Sequence, residues 1–289
     1  MSAPRGRLEY LMGTAVIRGV GWLPWILVDG LGAAAGAIVY ALDGRHRRIA
    51  LENVAAALPG YAPREQRAVV RGAFRHFGTF LFELMKFSTL SPEQMAARVT
   101  IEGEAHIEQA YARGRGVLLT GGHFGCWEIQ ALAHAAQLRP MGMLARPLQR
   151  PGLNRLLERL RGRTGNFVID RRGTLRRVLR ALQDGHAVAI LIDQHVHEHD
   201  AIPVAFFGRP AATTSMLAAL ALRTGAAVLP LFAIPLGRGR YHLVYEPAIE
   251  PSTDAADPTR DLTERCTAAL ERRVREHPHL WLWMHQRWR

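Results

Sequence analysis

The chain has 289 residues, 48% of them hydrophobic, which is enough to form the core of one large domain or two small ones. Its formal net charge is +12 and its isoelectric point is about 10.9. This balance favours an anionic partner, which is a nucleic acid, an anionic membrane surface or an acidic protein. Two cysteines, Cys126 and Cys266, exclude a disulfide framework and favour a reducing, cytosol-facing location.

The most apolar stretch of the chain lies near the N-terminus, at residues 22–42. It is about long enough to cross a bilayer, which needs roughly 20 residues, although Pro24 and Asp29 interrupt it. A basic cluster at residues 45–48 follows directly and is expected to stay in the cytosol. We predict that residues 1–45 form a membrane anchor that either spans the bilayer or lies in its interface. The alternative is a buried first helix of a soluble protein.

The remainder of the chain divides into a helical region and a region of alternating elements. Residues 46–98 predict helices, mainly at 49–58 and 63–87. Residues 99–289 alternate apolar strand segments with helical segments, which predicts an α/β domain built on a layered, mainly parallel sheet flanked by helices. Strands are expected at 99–103, 116–122, 141–146, 167–170, 187–193, 227–234 and 241–247, and helices at 105–114, 126–137, 153–163, 174–184, 215–224 and 262–276.

A strand, a glycine turn and a helix carry the main candidate site. The apolar residues 117–119 precede Gly121 and Gly122, and a helical pattern begins near residue 125. His123 lies in the turn and Glu128 in the first turns of the helix. The imidazole can therefore fold back toward the carboxylate, which would fix its tautomer and leave the other ring nitrogen to remove a proton from a hydroxyl. The alternative is a turn histidine with an unrelated surface glutamate.

The sequence GGHFGCWE at residues 121–128 resembles the His-x4-Asp/Glu motif of the late-acting lipid A biosynthesis acyltransferases, the lauroyl/myristoyl transferase family. The resemblance extends from about residue 10 to the C-terminus, because later blocks are similar to those of the family in the same order. These blocks are residues 145–165, 190–194, 204–214, 220–232 and 281–289. The resemblance implies a glycerolipid-acyltransferase-like fold in an inner-membrane enzyme whose catalytic domain faces the cytosol.

The reaction implied by this resemblance moves a fatty acyl chain from acyl carrier protein to a hydroxyl of a lipid A precursor. His123 would act as the general base and Glu128 would orient it, with neither a metal nor another cofactor. N–H groups of the motif turn, or an arginine, would stabilise the oxyanion. Acyl carrier protein, a glycolipid acceptor and the membrane are the expected partners, and no nucleic acid is expected.

Substrate-binding roles are also implied by the resemblance, at Arg146, Arg161, Arg163, Asp193 and Gln194. Arginine suits a phosphate group because its planar guanidinium donates two parallel hydrogen bonds. From the residues alone, a solvated helix face remains an alternative for Arg161 and Arg163. Asp193 ends an apolar strand, where binding sites of such sheets lie, and a turn or helix cap remains its alternative.

Several other features have competing interpretations. Cys126 allows a thioesterase or protease nucleophile, but its place beside Trp127 favours a small packed residue. Three histidines in residues 195–200 allow a metal site, although no matching set of ligands occurs elsewhere and a solvent-facing loop is favoured. Residues 206–208 predict an apolar turn, either near the acyl chain or in the core.

The C-terminus combines tryptophan and arginine at Trp281, Trp283, Arg287, Trp288 and Arg289. This mixture is typical of membrane interfaces and also of proteins that bind single-stranded nucleic acid. Because the chain has no nucleic-acid-binding signature, we predict contact with the membrane. Two functional alternatives remain, which are acylation of another glycolipid such as a phosphatidylinositol mannoside and a non-catalytic lipid-binding role. The intact His123 and Glu128 pair argues against the second.

Overall fold

The structure, a computed structural model, describes residues 4–170, 174–196, 201–252 and 254–288. It has the α/β architecture that the alternating pattern predicts. The helices are α1 (Pro4–Trp22), α2 (Trp25–Leu42), α3 (Gly44–Ala57), α4 (Pro63–Phe87), α5 (Pro92–Ala96), α6 (Glu104–Ala112), α7 (Trp127–Gln137), α8 (Pro151–Arg161), α9 (Thr174–Gln183), α10 (Met216–Thr224) and α11 (Pro258–Glu276). The strands are β1 (Val99–Glu102), β2 (Val117–Gly121), β3 (Met141–Leu144), β4 (Phe167–Ile169), β5 (Ala187–Leu191), β6 (Ala201–Phe206), β7 (Arg209–Thr214), β8 (Ala227–Gly237) and β9 (Arg240–Tyr245).

The main sheet has the strand order β1-β9-β8-β2-β5-β3-β4. Neighbouring strands are parallel except for β8 and β9, which pair antiparallel. Strands β6 and β7 form a separate antiparallel hairpin that the sequence analysis did not predict. The turn predicted at residues 206–208 connects these two strands, and Phe206 and Phe207 are buried in the core.

Strand β2 shows why the central strands are apolar along their whole length. Val117 and Leu119 pack with α6 and α7, whereas Leu118 packs with α9, α10 and α11 on the opposite face. Successive strand residues point to opposite faces, and both faces are covered here. Since β2 lies between β8 and β5, the turn that follows it emerges near the middle of the sheet edge.

The N-terminal helices pack against the rest of the protein. Helix α1 contacts α4 and α8, and α2 lies along α4. A Cβ atom on Gly36 would lie 2.2 Å from the Phe74 carbonyl oxygen, so the two backbones touch directly. Asp29 of α2 accepts a hydrogen bond of 2.9 Å from the Arg238 amide in the β8–β9 turn. The predicted domain boundaries at residues 45 and 98 stay a prediction. Helices on the two sides of each boundary pack against one another.

Helix α2 is the one described helix that is long and apolar enough to cross a membrane, and 17% of it is buried inside the protein. Its outward face exposes Ile26, Leu27, Leu31, Ile38, Val39 and Leu42. This exposure distinguishes α2 from a core helix of a soluble protein, which would bury most of its apolar surface.

The predicted membrane contact of the C-terminal tryptophan and arginine residues is wrong for three of them. Trp281, Trp283 and Arg287 are at most 1% exposed. Trp281 packs edge-to-face on Phe206 of the β6–β7 hairpin, with ring centroids 5.3 Å apart. Tryptophan favours buried sites with a hydrogen-bond acceptor as well as membrane interfaces, and composition alone does not separate the two. Arg289 lies outside the described residues.

The contact between α2 and α4 leads to a first prediction. Gly36→Ala should lower the free energy of unfolding by about 1–3 kcal/mol, because its Cβ meets backbone atoms that cannot rotate away. Gly30→Ala in the same helix is the matched control, since a Cβ there meets nothing within 4 Å. Thermal unfolding in detergent measures both. A Gly36→Ala protein as stable as Gly30→Ala would contradict the close helix contact.

Candidate active site

Two glycines allow the turn after β2 to approach its neighbours. Gly125 has φ of 57°, and a Cβ there would lie 2.1 Å from the Ala233 carbonyl oxygen of β8. A Cβ on Gly122 would lie 2.9 Å from a carboxylate oxygen of Asp193. Any other residue at these two positions would push the turn away from the sheet edge.

Backbone hydrogen bonds hold the turn in place. The amide of His123 donates to Asp193 Oδ2 at 2.7 Å, that of Gly125 to the Leu280 carbonyl at 2.9 Å, and that of Cys126 to the Ala233 carbonyl at 2.9 Å. These three N–H groups are therefore engaged within the protein. The expectation that the N–H groups of the motif turn stabilise an oxyanion is corrected for these three.

His76 of α4 supports the turn from the other side. Its Nε2 lies 3.0 Å from the Gly125 carbonyl oxygen. Burial lowers the pKa of His76 to about 4, so the ring is neutral at physiological pH. A neutral ring must carry its proton on Nε2 in order to donate this bond. The sequence analysis missed His76, because nothing in its helical pattern distinguishes it from a packing residue.

Asp193 holds the imidazole of His123. Its Oδ1 lies 2.8 Å from His123 Nδ1, and its Oδ2 accepts a further hydrogen bond of 2.8 Å from Trp281 Nε1. The Asp193 side chain is 3% exposed, whereas that of His123 is 19% exposed. The carboxylate is thus buried behind the ring, and the ring reaches the surface of the site. Asp193 fixes both the orientation and the tautomer of His123.

The two side chains shift each other's pKa. Burial alone lowers the pKa of His123, but the charge and hydrogen bond of Asp193 raise it more, and the Glu128 charge adds to this, so it lies above 6.5. Burial alone raises the pKa of Asp193, but the interactions with His123 lower it more, so it lies below 3.8. At neutral pH Asp193 is therefore an anion that stabilises the imidazolium when His123 takes up a proton.

The hydrogen bond predicted between Glu128 and His123 is corrected. Arg161 donates two bonds to the Glu128 carboxylate, one from Nε to Oε2 at 2.9 Å and one from Nη2 to Oε1. Glu128 lies in the first turn of α7, as predicted, but its side chain points toward α8. Asp193 occupies the His123 nitrogen that the sequence analysis assigned to Glu128, and Glu128 acts on His123 through its charge alone.

The second ring nitrogen of His123, Nε2, is not bonded to Asp193 and lies beside Gln194. Gln194 places its Nε2 3.3 Å from His123 Nε2. The half-buried Trp127 ring lies 5.0 Å from the His123 ring, and Phe77 packs 5.8 Å from Trp127. A neutral His123 with Nδ1–H directed at Asp193 has its lone pair on Nε2, where it accepts from the Gln194 amide. The site therefore combines a proton acceptor with an adjacent apolar surface.

Two of the predicted arginines lie outside this cluster. Arg146 is exposed just beyond β3, at the same sheet edge as His123. Arg163 donates to the Leu90 carbonyl at 3.0 Å. The substrate-binding roles of Arg146, Arg161, Arg163, Asp193 and Gln194 stay predictions.

The alternative sites of the sequence analysis have different outcomes. Cys126 is fully buried, and burial together with the Glu83 charge raises the pKa of its thiol well above the ordinary value, so it is a packed residue. Among the described residues no group of three or more His, Cys, Asp or Glu side chains is arranged to hold a metal ion. The histidine cluster lies partly outside this range, because residues 197–200 are not described.

Comparison with known proteins gives the family. The model of the bacterial lipid A biosynthesis acyltransferases matches residues 2–289. The chain is 28% identical over 290 residues to the lipid A biosynthesis lauroyltransferase of Escherichia coli (strain K12), covering 99% of this chain and 92% of the relative. It is 24% identical to a lipid A biosynthesis acyltransferase of Haemophilus influenzae (strain ATCC 51907 / DSM 11121 / KW20 / Rd), covering 92% and 82%.

A third relative acts on a different glycolipid. The chain is 26% identical over 218 residues to the phosphatidylinositol mannoside acyltransferase of Mycobacterium tuberculosis (strain ATCC 25618 / H37Rv), covering 73% of this chain and 67% of the relative. The family match spans nearly the whole chain and contains every residue of the His123 site. The chain therefore belongs to the bacterial lipid A biosynthesis acyltransferase family, and it is an acyltransferase.

Proposed function

We propose that the protein transfers a fatty acyl chain from the thioester of acyl carrier protein to a hydroxyl of a lipid A precursor, with His123 as the general base. The observation that carries this proposal is the pair of His123 and the buried Asp193, which occupies Nδ1 of the partly exposed ring and leaves Nε2 as the nitrogen that can take up a proton. The names of the two lipid A relatives support the choice of acceptor.

The reaction follows from the placement of the proton on His123. Nε2 takes the proton of the acceptor hydroxyl while the hydroxyl oxygen attacks the thioester carbonyl. The imidazolium that forms is stabilised by Asp193 across the 2.8 Å hydrogen bond. When the tetrahedral intermediate collapses, the carbon–sulfur bond breaks and His123 returns the proton to the leaving thiolate. The products are the acyl ester and the thiol of the carrier, and no acyl-enzyme forms.

Donors for the oxyanion come from side chains in this proposal. The Gln194 amide lies beside His123 Nε2, and the Arg161 guanidinium lies at the adjacent Glu128. Preorganised donors of this kind stabilise charge that develops in the transition state. Arg146, exposed at the same sheet edge, is available to a phosphate of the acceptor. The net charge of +12 suits both a phosphorylated glycolipid and an acidic carrier protein.

Acylation of another glycolipid is the second candidate, supported by the phosphatidylinositol mannoside acyltransferase relatives. The lipid A relative matches a larger share of the chain at a higher identity than the first of these relatives. Mass spectrometry of lipids from a strain lacking the protein separates the two. Loss of one acyl chain from lipid A supports our proposal, and unchanged lipid A with an under-acylated second glycolipid contradicts it.

We further propose that α2 holds the protein on the cytosolic leaflet of the inner membrane without crossing it. One face of α2 is bound to α4 at Gly32 and Gly36, and Asp29 is bound to the β8–β9 turn. A spanning α2 would have to leave these contacts or carry α4 into the hydrocarbon. The outward apolar face of α2 fits the interfacial region of one leaflet.

Helix α4 makes the spanning arrangement costly. Its exposed face carries Arg64, Arg67, Arg71 and Arg75, opposite the buried face that includes Val70 and Ala73. Each arginine at the centre of a bilayer costs about 2.5–3.5 kcal/mol. At the level of the headgroups the same side chains would instead attract anionic lipids.

The catalytic assignment predicts large and selective losses of activity. His123→Ala and Asp193→Asn should each lower kcat/KM by a factor of about 10²–10⁴, because the first removes the base and the second removes the carboxylate that fixes its tautomer. Cys126→Ala is the matched control and should keep near-normal turnover. Steady-state assays with acyl carrier protein donors measure the three variants. A folded His123→Ala enzyme with normal activity, or an acyl adduct on Cys126 in intact-mass spectra, would contradict the mechanism.

The pKa shift of His123 predicts the pH dependence. The base works when it is neutral, so kcat/KM should fall as the pH decreases through the raised pKa, giving an acid limb above 6.5. Asp193→Asn removes the anion that raises this pKa most and leaves burial opposed only by the Glu128 charge. The residual activity of this variant should therefore have its acid limb at a lower pH than that of the wild type. The same limb in both enzymes would show that Asp193 does not set the basicity of His123.

The position of α2 predicts the accessibility of its two ends. Single cysteines replacing Arg5, before α2, and Arg48, after it, should both resist a membrane-impermeant maleimide in spheroplasts and react after permeabilisation. The native Cys126 and Cys266 are at most 2% exposed and give little background. Labelling of Arg5→Cys alone in intact spheroplasts would mean that α2 crosses the membrane, and labelling of both would place the domain outside the cytosol.

A further inference from the structure

Arg287 is a buried cation that the proposed reaction does not yet use. It is 1% exposed and donates to the Ala212 carbonyl and to Thr213 Oγ1, both in β7. Its Nε is buried without a hydrogen-bond partner, and among the described residues no carboxylate lies within ion-pair distance of its guanidinium. Burial lowers its pKa to about 10, so it remains charged at physiological pH.

The charge of Arg287 lies behind the carboxylate of the active site. Arg287 and Asp193 line the same narrow gap in the packing, which has no room for a water molecule, together with Ile192, Phe206, Thr267 and Leu270. The guanidinium lies 5.7 Å from the Phe206 ring, which packs on the Trp281 that donates to Asp193. The Asp193 charge partly offsets the effect of burial on the pKa of Arg287. The cation and the anion therefore act on each other through an apolar layer.

Burying a cation without a bonded carboxylate is costly, and an apolar residue of similar volume at this position would avoid that cost. Burial of the Asp193 anion is costly for the same reason. Its side chain is 3% exposed, and its partner His123 is neutral before the reaction. Each charge reduces the cost of the other in a region where solvent screening is weak.

We propose that Arg287 is a positioning residue for the acyl transfer, whose fixed positive charge keeps Asp193 ionised while His123 is the neutral base. This inference rests on the proposed function, in which His123 removes the proton of the acceptor. Arg287 touches neither His123 nor the substrate in this role, and it acts through Asp193.

The balance of charges has a consequence for the basicity of His123. Asp193 favours the imidazolium, and Arg287 opposes it because the two cations repel. Without Arg287, an uncompensated Asp193 would hold the proton on His123 up to a higher pH. Among the described residues, the titratable or charged groups near this pair include Glu128 with its partner Arg161, His195, and His285, whose Nε2 accepts a hydrogen bond from the His195 amide.

The test compares variants that remove the charge with variants that remove a hydrogen bond. Arg287→Met and Arg287→Gln should move the acid limb of kcat/KM upward by about one pH unit, because a unit charge in a partly screened site shifts a nearby pKa by an amount of this order. At pH values below the wild-type limb, this shift lowers kcat/KM about tenfold. On the alkaline plateau, where His123 is neutral in both enzymes, kcat/KM should change little. Arg287→Lys keeps the charge and should keep the limb of the wild type. Thr213→Val, which loses one acceptor of Arg287 and no charge, is the matched control.

The full-length enzyme in detergent, with an acyl carrier protein thioester and a lipid A precursor, gives these profiles. The proposal is overturned if the acid limb does not move in Arg287→Met. It is also overturned if kcat/KM falls by the same factor at every pH in both Arg287→Met and Thr213→Val, because Arg287 would then have only a structural role. If the Met variant does not fold, Arg287→Gln against Arg287→Lys decides. A wild-type profile without an acid limb would instead contradict His123 as the base.

Discussion

The carboxylate of Asp193 receives three hydrogen bonds, from the His123 amide, from His123 Nδ1 and from Trp281 Nε1. These donors come from two separate parts of the chain, the turn after β2 and the C-terminal segment, while Asp193 itself follows β5. A buried anion is stable only when its oxygens are satisfied in this way. The conformation of the turn therefore depends on the C-terminus, although the two segments are far apart in sequence.

The sheet topology explains why these parts meet. Strands β2 and β5 are parallel neighbours, so their carboxyl ends emerge side by side and carry His123 and Asp193 to the same edge. Gly122 leaves the space into which the carboxylate fits, and the Leu280 carbonyl accepts the Gly125 amide from the opposite side. The apolar strands thus provide a rigid base, and the polar chemistry is concentrated where they end.

Much of this arrangement is predictable from the sequence, and its failures have physical causes. Continuous apolar runs identify the buried strands, and the glycine turn identifies His123, because both are local properties of the chain. The choice between Glu128 and Asp193 as the partner of His123 depends on the direction in which α7 presents its side chains, and sequence spacing does not contain that direction. The role of Trp281 was missed for a related reason, since its hydrogen-bond acceptor lies on a distant strand.

The membrane assignment shows the same limit in another form. An apolar stretch of the right length predicts both a spanning helix and an interfacial one, and the difference lies in what covers its second face. In α2 that face is closed by Gly78 and Phe74 of α4, which are distant in sequence. Composition predicts membrane contact for the tryptophans at the C-terminus, yet the β6–β7 hairpin, whose strands alternate only weakly, covers them.

Two carboxylates with different partners surround His123, and under the proposed mechanism they have separate tasks. Asp193 carries the hydrogen bond and must remain ionised, which its hydrogen-bond donors and the nearby Arg287 charge both favour. Glu128 already holds Arg161 in a two-point ion pair, so it contributes a negative charge whose effect on His123 is partly cancelled. When an oxyanion or a phosphate approaches, Arg161 can turn part of its donor capacity toward it, and Glu128 then becomes more effective in stabilising the imidazolium. The charge that develops on the substrate and the charge that develops on His123 would in this way be compensated together.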